Sequence, residues 1–225
     1  MNILLPILAV FAGFGIAYFI KYQANTINLL LAFSGSFLLS ITVLEFIPHV
    51  YRNTEISVGI FIMAGIILQL VLEFLSGGAE HGHLHQEKME NHFPWVLFIS
   101  LCVHALFEGF PISHTSSLLL AVVVHKIPVA IIISSFLFKA NLSTFKITGF
   151  LVLFGLMTPL GSYIGEYTDF LKDYAVYIDA IVIGIFLHIS TTILFESSKN
   201  HRFNASKFIV ILIGIAVAYF LGHGH

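Results

Sequence analysis

The sequence predicts an all-α polytopic membrane protein with eight transmembrane helices, on three observations. Hydrophobic residues make up 58% of the 225 residues and charged residues only 10%, more apolar side chain than a soluble domain of this length can bury. The apolar residues fall into eight stretches, most of which approach the ~20 residues that cross a bilayer as a helix. Lysine and arginine are concentrated in alternate loops between these stretches. Barrel strands would instead be ~10 residues long, with alternating polarity.

The eight stretches are, in chain order, residues 3–20, 27–47, 56–75, 95–112, 116–138, 147–165, 174–195 and 205–221. The first stretch carries no basic leader and no clear small-residue cleavage site, so we expect a retained span rather than a signal peptide. The single cysteine, Cys102, lies inside the fourth stretch. It excludes an internal disulfide and a thiolate-cluster metal site. Residues 76–93 are predicted to form a histidine-rich cytoplasmic loop within one transmembrane domain that spans residues 1–225.

The orientation of the spans follows from their flanking basic residues. With the N-terminus outside, seven basic residues fall in cytoplasmic loops and two in outer loops. The seven are Lys21, Lys88, Lys139, Lys146, Lys199, Arg202 and Lys207, and the two are Arg52 and Lys172. The positive-inside rule therefore places both termini on the extracellular or periplasmic side.

A short internal similarity links spans two and seven. The segment "GSFLLSITVLE" begins at Gly35, and "GIFLHISTTIL" begins at Gly184. The two spans run in opposite directions in the predicted topology. The pattern is typical of an inverted repeat arranged around the central spans four and five.

Three polar side chains in spans four and five are expected to reach the same depth in the membrane. His104 and Glu108 lie four residues apart and share one helix face. His104 lies nine residues before Ser113, where span four ends, and His125 lies nine residues after Ser116, where span five begins. At ~1.5 Å rise per residue, both histidines lie ~13 Å below the outer surface.

The chemistry of this trio indicates a metal site. A charged side chain at bilayer mid-depth costs ~2.5 to 3.5 kcal/mol, so such residues usually serve a function. Two imidazoles and a carboxylate suit Zn²⁺ or a similar divalent ion, with a fourth position left for water. The alternative is that the histidines bond to backbone carbonyls or hydroxyl groups while Glu108 pairs with Lys126.

Further residues of the metal-ligand type are distributed on both sides of the trio. Those toward the outside are Glu45, His49, His114 and Asp179; those toward the inside are Glu73, His188 and Glu196; and the loop carries His81, His83, His85 and His92. The loop has a metal-binding composition, although a linker that merely happens to be rich in histidine is the alternative. Because these residues run from one face to the other, they favour a transport route over a one-sided active site.

Several motifs occur in a characteristic order and spacing: "FSGSFLLSITVLEFIPH", "HALFEG", "HKIP", "MTPLGSYIG" and "GIFLHISTTILFE", together with the histidine-rich loop. In these motifs the chain resembles the ZIP family of divalent metal transporters. The resemblance implies eight helices with both termini outside, a metal site between spans four and five, and uptake of divalent ions into the cytosol. Family members commonly form dimers, so the resemblance also allows a homodimer.

The chain departs from the family pattern where many members bind a second metal ion. The positions that the resemblance assigns to those ligands hold Ala105, Lys126, Val129 and Thr158, so we predict a mononuclear centre. We hypothesise that Lys126 takes the place of the second cation, neutralising Glu108 when the site is empty and repelling the bound metal. At ~4 Å and an effective dielectric constant of ~20, the repulsion between two unit charges amounts to about 4 kcal/mol. The alternative is that Lys126 turns toward another carboxylate or a water cavity.

The sequence therefore predicts a transporter and not an enzyme, with a divalent metal ion and the lipid bilayer as partners and no nucleic acid. Zn²⁺ is the expected substrate, and Fe²⁺, Mn²⁺ and Cd²⁺ also tolerate a histidine and glutamate shell. An intramembrane zinc-dependent hydrolase is the alternative, because the same trio resembles a catalytic zinc shell. A metal sensor or structural protein would explain the loop but not the trio. Compact loops favour the bacterial inner membrane.

Overall fold

The computed structural model describes residues 4–19, 24–52, 57–78, 93–113, 116–140, 142–196 and 205–222. Within these ranges the chain is all-helical, with 93% of residues in helices and no strand. The helices are α1 (Leu4–Phe19), α2 (Ala24–Ile41), α3 (Ile47–Arg52), α4 (Gly59–Ser76), α5 (Trp95–Gly109), α6 (Ser116–Lys139), α7 (Thr144–Tyr167), α8 (Asp169–Lys172), α9 (Ala175–Glu196) and α10 (Ala205–Gly222). A π-helical segment, Thr42–Phe46, joins α2 to α3, and a 3-10 turn, Phe110–Ser113, follows α5.

Seven candidate membrane spans are present in the described ranges. They are Asn25–Arg52, Gly59–Ser76, Trp95–Ser113, Ser116–Lys139, Thr144–Tyr167, Ala175–Phe195 and Ala205–Gly222. These match predicted spans two to eight. The first predicted span corresponds to α1, an apolar helix of 16 described residues that is shorter than the other seven. The eighth crossing and the outward orientation of the termini stay predictions.

The long helices form two bundles that meet along α4, α5, α2 and α6. In one bundle α1 packs on α6 and α7, and α5 packs on α7. In the other bundle α4 packs on α9, and α2 packs on both α9 and α10. Contacts of α4 with α5 and of α2 with α6 join the two bundles. Side chains of α5 and α6 that face this junction are therefore shielded from lipid.

Glycine pairs permit the closest helix contacts within each bundle. A Cβ atom added at Gly65 would overlap the backbone of α9, and one added at Gly184 would overlap the backbone of α4. Likewise, a Cβ atom added at Gly109 on α5 would overlap the backbone of α7, and one added at Gly161 on α7 would overlap the backbone of α5. In a bilayer, where lipid competes equally for apolar side chains, small residues let helices gain van der Waals contact and hold together.

Prolines have different effects in different helices. Pro128 and Pro159 lie inside the continuous helices α6 and α7, and Pro111 lies in the 3-10 turn that ends span four. The π-helical segment Thr42–Phe46 comes just before Pro48. A proline ring clashes with the carbonyl group four residues earlier, and the wider π turn provides room for it.

Candidate metal centre

The structure brings the three predicted ligands together between α5 and α6. His104, Glu108 and His125 each offer one ligand atom, and these atoms all lie within 4.8 Å of one another. The three residues are 3%, 1% and 1% exposed, respectively. Ligand atoms around a tetrahedral Zn²⁺ lie ~2.0–2.2 Å from the metal, so modest side-chain rotations would let all three reach one ion.

The local chain geometry accounts for this convergence. α5 ends at Gly109 and the 3-10 turn reaches Ser113, after which α6 begins at Ser116. Since both histidines are nine residues from their side of this turn, the antiparallel helices place them at one level. Glu108 joins them because it lies one helical turn from His104 on the same face.

Each oxygen of the Glu108 carboxylate has its own partner. Nε2 of His104 lies 3.1 Å from Oε1 of Glu108. Nζ of Lys126 donates a hydrogen bond of 2.7 Å to Oε2, and it also lies 4.7 Å from the centre of the Phe154 ring, in a cation–π contact. Lys126 therefore faces Glu108, and the ion pair coexists with the histidine cluster instead of replacing it.

At the positions that the resemblance assigns to the ligands of a second metal, the side chains make other contacts. Thr158 donates a hydrogen bond of 2.9 Å from Oγ1 to the carbonyl oxygen of Ala105, and the same Oγ1 lies 3.5 Å from Oε2 of Glu108. Ala105 and Val129 are buried apolar residues. None of these three side chains supplies a carboxylate or an imidazole, and the fourth position holds the Lys126 ammonium.

Gln69 is a contact of the site that the sequence analysis missed. It lies on α4, has no exposed surface, and has its Oε1 atom 3.1 Å from Nδ1 of His104. The signal in the sequence is one amide inside the apolar run "GIILQLVL". Because 35 residues separate Gln69 from His104 in the chain, spacing along a helix could not connect them.

The predicted inner residues include one close pair. Nε2 of His188 on α9 lies 2.5 Å from Oε2 of Glu73 on α4, and both side chains are partly buried. Glu196 ends α9, but its side chain lies outside the described part of the structure. His81, His83, His85 and His92 also lie outside the described residues.

The predicted outer residues lie toward the other ends of the spans from the inner residues. Glu45 is in the π-helical segment, where its carboxylate lies beside Gly222 of α10. His49 follows on α3 and is partly buried, whereas Asp179 on α9 is 5% exposed. His114 lies outside the described residues. Among the described residues, these side chains form no three-ligand group like that of His104, Glu108 and His125.

Comparison with known proteins identifies the family. Residues 76–222 match the model of the ZIP zinc transporter family. The chain belongs to this family. The match covers more than half of the chain, including α5 to α10 and all three candidate ligands. No curated protein sequence gives a significant match to the chain.

Membership in the ZIP family implies metal transport by an integral membrane protein. ZIP proteins are transporters and not enzymes, so the alternative of an intramembrane hydrolase is set aside. The family transports zinc and other divalent metals. The buried group of two histidines and one glutamate is compatible with such a substrate.

Proposed function

We propose that this ZIP protein moves a divalent transition-metal ion, Zn²⁺ foremost, from the outer compartment into the cytoplasm through a mononuclear centre. His104, Glu108 and His125 bind the ion. The observation that carries the proposal is the convergence of three buried ligand atoms within 4.8 Å of one another. Fe²⁺, Mn²⁺ and Cd²⁺ are alternative substrates for this ligand set. We place the protein in the bacterial inner membrane, with a homodimer as its assembly.

The three ligands replace part of the hydration shell of the ion. The Glu108 carboxylate supplies a negative charge, and the two imidazoles supply neutral nitrogen ligands that suit a borderline-soft ion. Since three protein ligands leave a tetrahedral position open, water or the next ligand along the route can enter there. Release then proceeds by ligand exchange and does not require the bare ion to cross an apolar region.

Lys126 has a distinct role in the cycle. In the ion-free site it neutralises Glu108, which would otherwise be a costly buried charge. Because Lys126 binds Oε2 while Oε1 faces His104, Oε1 can turn to the metal without breaking the Lys126 contact. A retained ammonium at ~4 Å from the ion opposes binding, by about 4 kcal/mol for each unit of charge on the ion at an effective dielectric constant of ~20. We propose that this repulsion replaces a second metal ion and speeds release.

Residues on both sides of the centre provide the route. The ion enters past Glu45, His49, His114 and Asp179, and it leaves by way of His188, Glu73 and Glu196 toward the loop histidines His81, His83, His85 and His92. The His188–Glu73 contact supports the inner half of this route, since it joins two ligand-type groups from different helices. The direction follows from the predicted placement of the histidine-rich loop in the cytoplasm.

Uptake of radioactive Zn²⁺ into proteoliposomes tests the proposal. We expect His104→Ala and His125→Ala to reduce uptake at least ~10-fold, because each removes one of three ligands. Ser100→Ala is the matched control, since Ser100 is buried on α5 one turn before His104 and its hydroxyl donates a hydrogen bond within its own helix, to Val96 O. Wild-type uptake by both histidine variants would contradict the mononuclear centre.

A further inference from the structure

Gln69 links the candidate metal centre to the bundle that does not contain it. The three candidate ligands lie on α5 and α6, whereas Gln69 lies on α4, which packs on α9 in the other bundle. The Oε1 atom of Gln69 is 3.1 Å from Nδ1 of His104, and Gln69 has no exposed surface. The contact is therefore a buried hydrogen bond across the junction of the two bundles.

The chemistry of this hydrogen bond determines which nitrogen of His104 can bind a metal. The amide oxygen of Gln69 faces Nδ1 of His104. Because an amide oxygen can only accept a hydrogen bond, this orientation of the amide favours the tautomer with the proton on Nδ1. A neutral imidazole has one N–H group, and its other nitrogen holds the lone pair that a metal requires. With Nδ1 held by Gln69, the nitrogen left for the metal is Nε2, which lies 3.1 Å from Oε1 of Glu108. A proton shared between these two atoms is released when a metal binds Nε2.

We propose that Gln69 is a positioning residue for the metal centre. It holds His104 in the tautomer and ring orientation that present Nε2 to the ion, and it anchors this ligand to the neighbouring bundle. The inference rests on the proposed function, in which His104 binds the ion. Hydrogen-bond partners of metal-binding histidines fix the ring in this way, and their loss weakens metal affinity ~10- to 100-fold.

A merely structural role for Gln69 predicts different behaviour. In a structural role, the hydrogen bond to His104 would serve only to satisfy the buried amide of Gln69, because burying an amide costs free energy unless it is hydrogen-bonded. In that case an apolar residue of similar length would fill the same volume with no effect on which nitrogen of His104 binds the ion. Gln69→Met tests this, because methionine keeps the length of the side chain without the accepting oxygen.

The experiment measures the affinity of the centre for a metal and identifies the histidine nitrogen that binds it. Cd²⁺ affinity is measured on the purified full chain in detergent, and ¹⁵N NMR of histidine-labelled protein with ¹¹³Cd identifies the bound nitrogen through its coupling. The His104 signals are assigned by their loss in His104→Ala. We expect coupling at Nε2 and a proton at Nδ1 in the wild type. In Gln69→Met we expect affinity to fall ~10- to 100-fold and the signal of a fixed Nδ1 proton to be lost.

Two further variants complete the design. Gln69→Glu keeps an accepting oxygen and should bind Cd²⁺ within ~3-fold of the wild type, because carboxylates serve the same purpose in many metal sites. Ser100→Ala, the buried control on α5, should leave both affinity and NMR signature unchanged. Rescue by Gln69→Glu, together with loss in Gln69→Met, would support a positioning role.

The outcomes separate this inference from the proposed function. If His104→Ala binds Cd²⁺ as the wild type does, the proposed centre itself fails. If His104→Ala loses binding while Gln69→Met retains wild-type affinity and coupling at Nε2, only the role of Gln69 is overturned. Should Gln69→Met not fold, the wild-type spectrum still decides, because Cd²⁺ coupled to Nδ1 of His104 would overturn the inference.

Discussion

The ammonium group of Lys126 and the carboxylate of Glu108 form a hydrogen-bonded ion pair of 2.7 Å between α6 and α5, with each residue only 1% exposed. A pair so deeply buried is weak evidence for stability, since the cost of removing two charges from water offsets their attraction. Its position next to His104 and His125 suggests a role in the metal cycle. The same carboxylate is available to the ammonium in the ion-free site and to a metal through its other oxygen.

Replacing Lys126 with methionine should make the stability of the protein depend on metal. The change leaves Glu108 buried without its ammonium partner, which costs about 3–5 kcal/mol, and a bound dication can restore that charge balance. We therefore expect a lower melting temperature in the absence of metal and a larger stabilisation by Zn²⁺ than in the wild type. Differential scanning fluorimetry in detergent, with and without Zn²⁺, measures both effects.

The same variant should release metal more slowly, because the repulsion by Lys126 is gone. Lys126→Arg is the control, since it keeps the positive charge. Equal Zn²⁺ stabilisation and equal ⁶⁵Zn²⁺ exchange rates in Lys126→Met and the wild type would contradict the proposed role of Lys126 as a substitute for a second cation.

Changes at the His188–Glu73 pair should slow transport without weakening the centre. We expect His188→Ala and Glu73→Gln each to lower the maximal rate of Zn²⁺ uptake, because both residues belong to the proposed inner route. Cd²⁺ affinity at the centre should change much less than the transport rate, because the three ligands lie on α5 and α6 whereas the pair joins α4 to α9. Uptake kinetics in proteoliposomes and binding in detergent give the two quantities. An unchanged maximal rate in both variants would remove the pair from the route.

Gly184→Ala should destabilise the protein more than the same substitution at a loosely packed glycine. A Cβ atom at Gly184 would overlap the α4 backbone, whereas one at Gly149 on α7 meets nothing within 4 Å. Overpacking of this kind costs ~1–3 kcal/mol, so we expect a clear loss of thermal stability in Gly184→Ala and almost none in Gly149→Ala. Thermal melts of the two purified variants make the comparison, and equal melting temperatures would argue against the tight contact of α4 with α9.

Labelling of introduced cysteines should reveal the predicted orientation. In a Cys102→Ser background, a cysteine at Lys172, in the short helix between α7 and α9, should react with a membrane-impermeant maleimide from outside intact cells. A cysteine at Lys139, at the end of α6, should react only after the membrane is permeabilised. These expectations follow from the positive-inside rule, and the reverse pattern would invert the topology and the proposed direction of transport.

The sequence alone predicted much of the fold and the centre of the candidate site. The membrane class follows from composition, because only lipid accommodates so much exposed apolar surface. The convergence of His104, Glu108 and His125 was predictable because it depends on local geometry: a separation of four residues on one helix, and equal distances from a turn on two adjacent helices.

Only the tertiary structure decided how the remaining polar groups meet. Gln69 reaches His104 across 35 residues of sequence, and His188 reaches Glu73 across 115. Such contacts depend on which helix faces pack together, and membrane helices that are apolar on nearly every side give little indication of that choice, because lipid and protein are equally good partners for them. The direction of Lys126 was likewise left open by the sequence. It was decided by the packing of α5, α6 and α7, which places the Glu108 carboxylate and the Phe154 ring around its ammonium group.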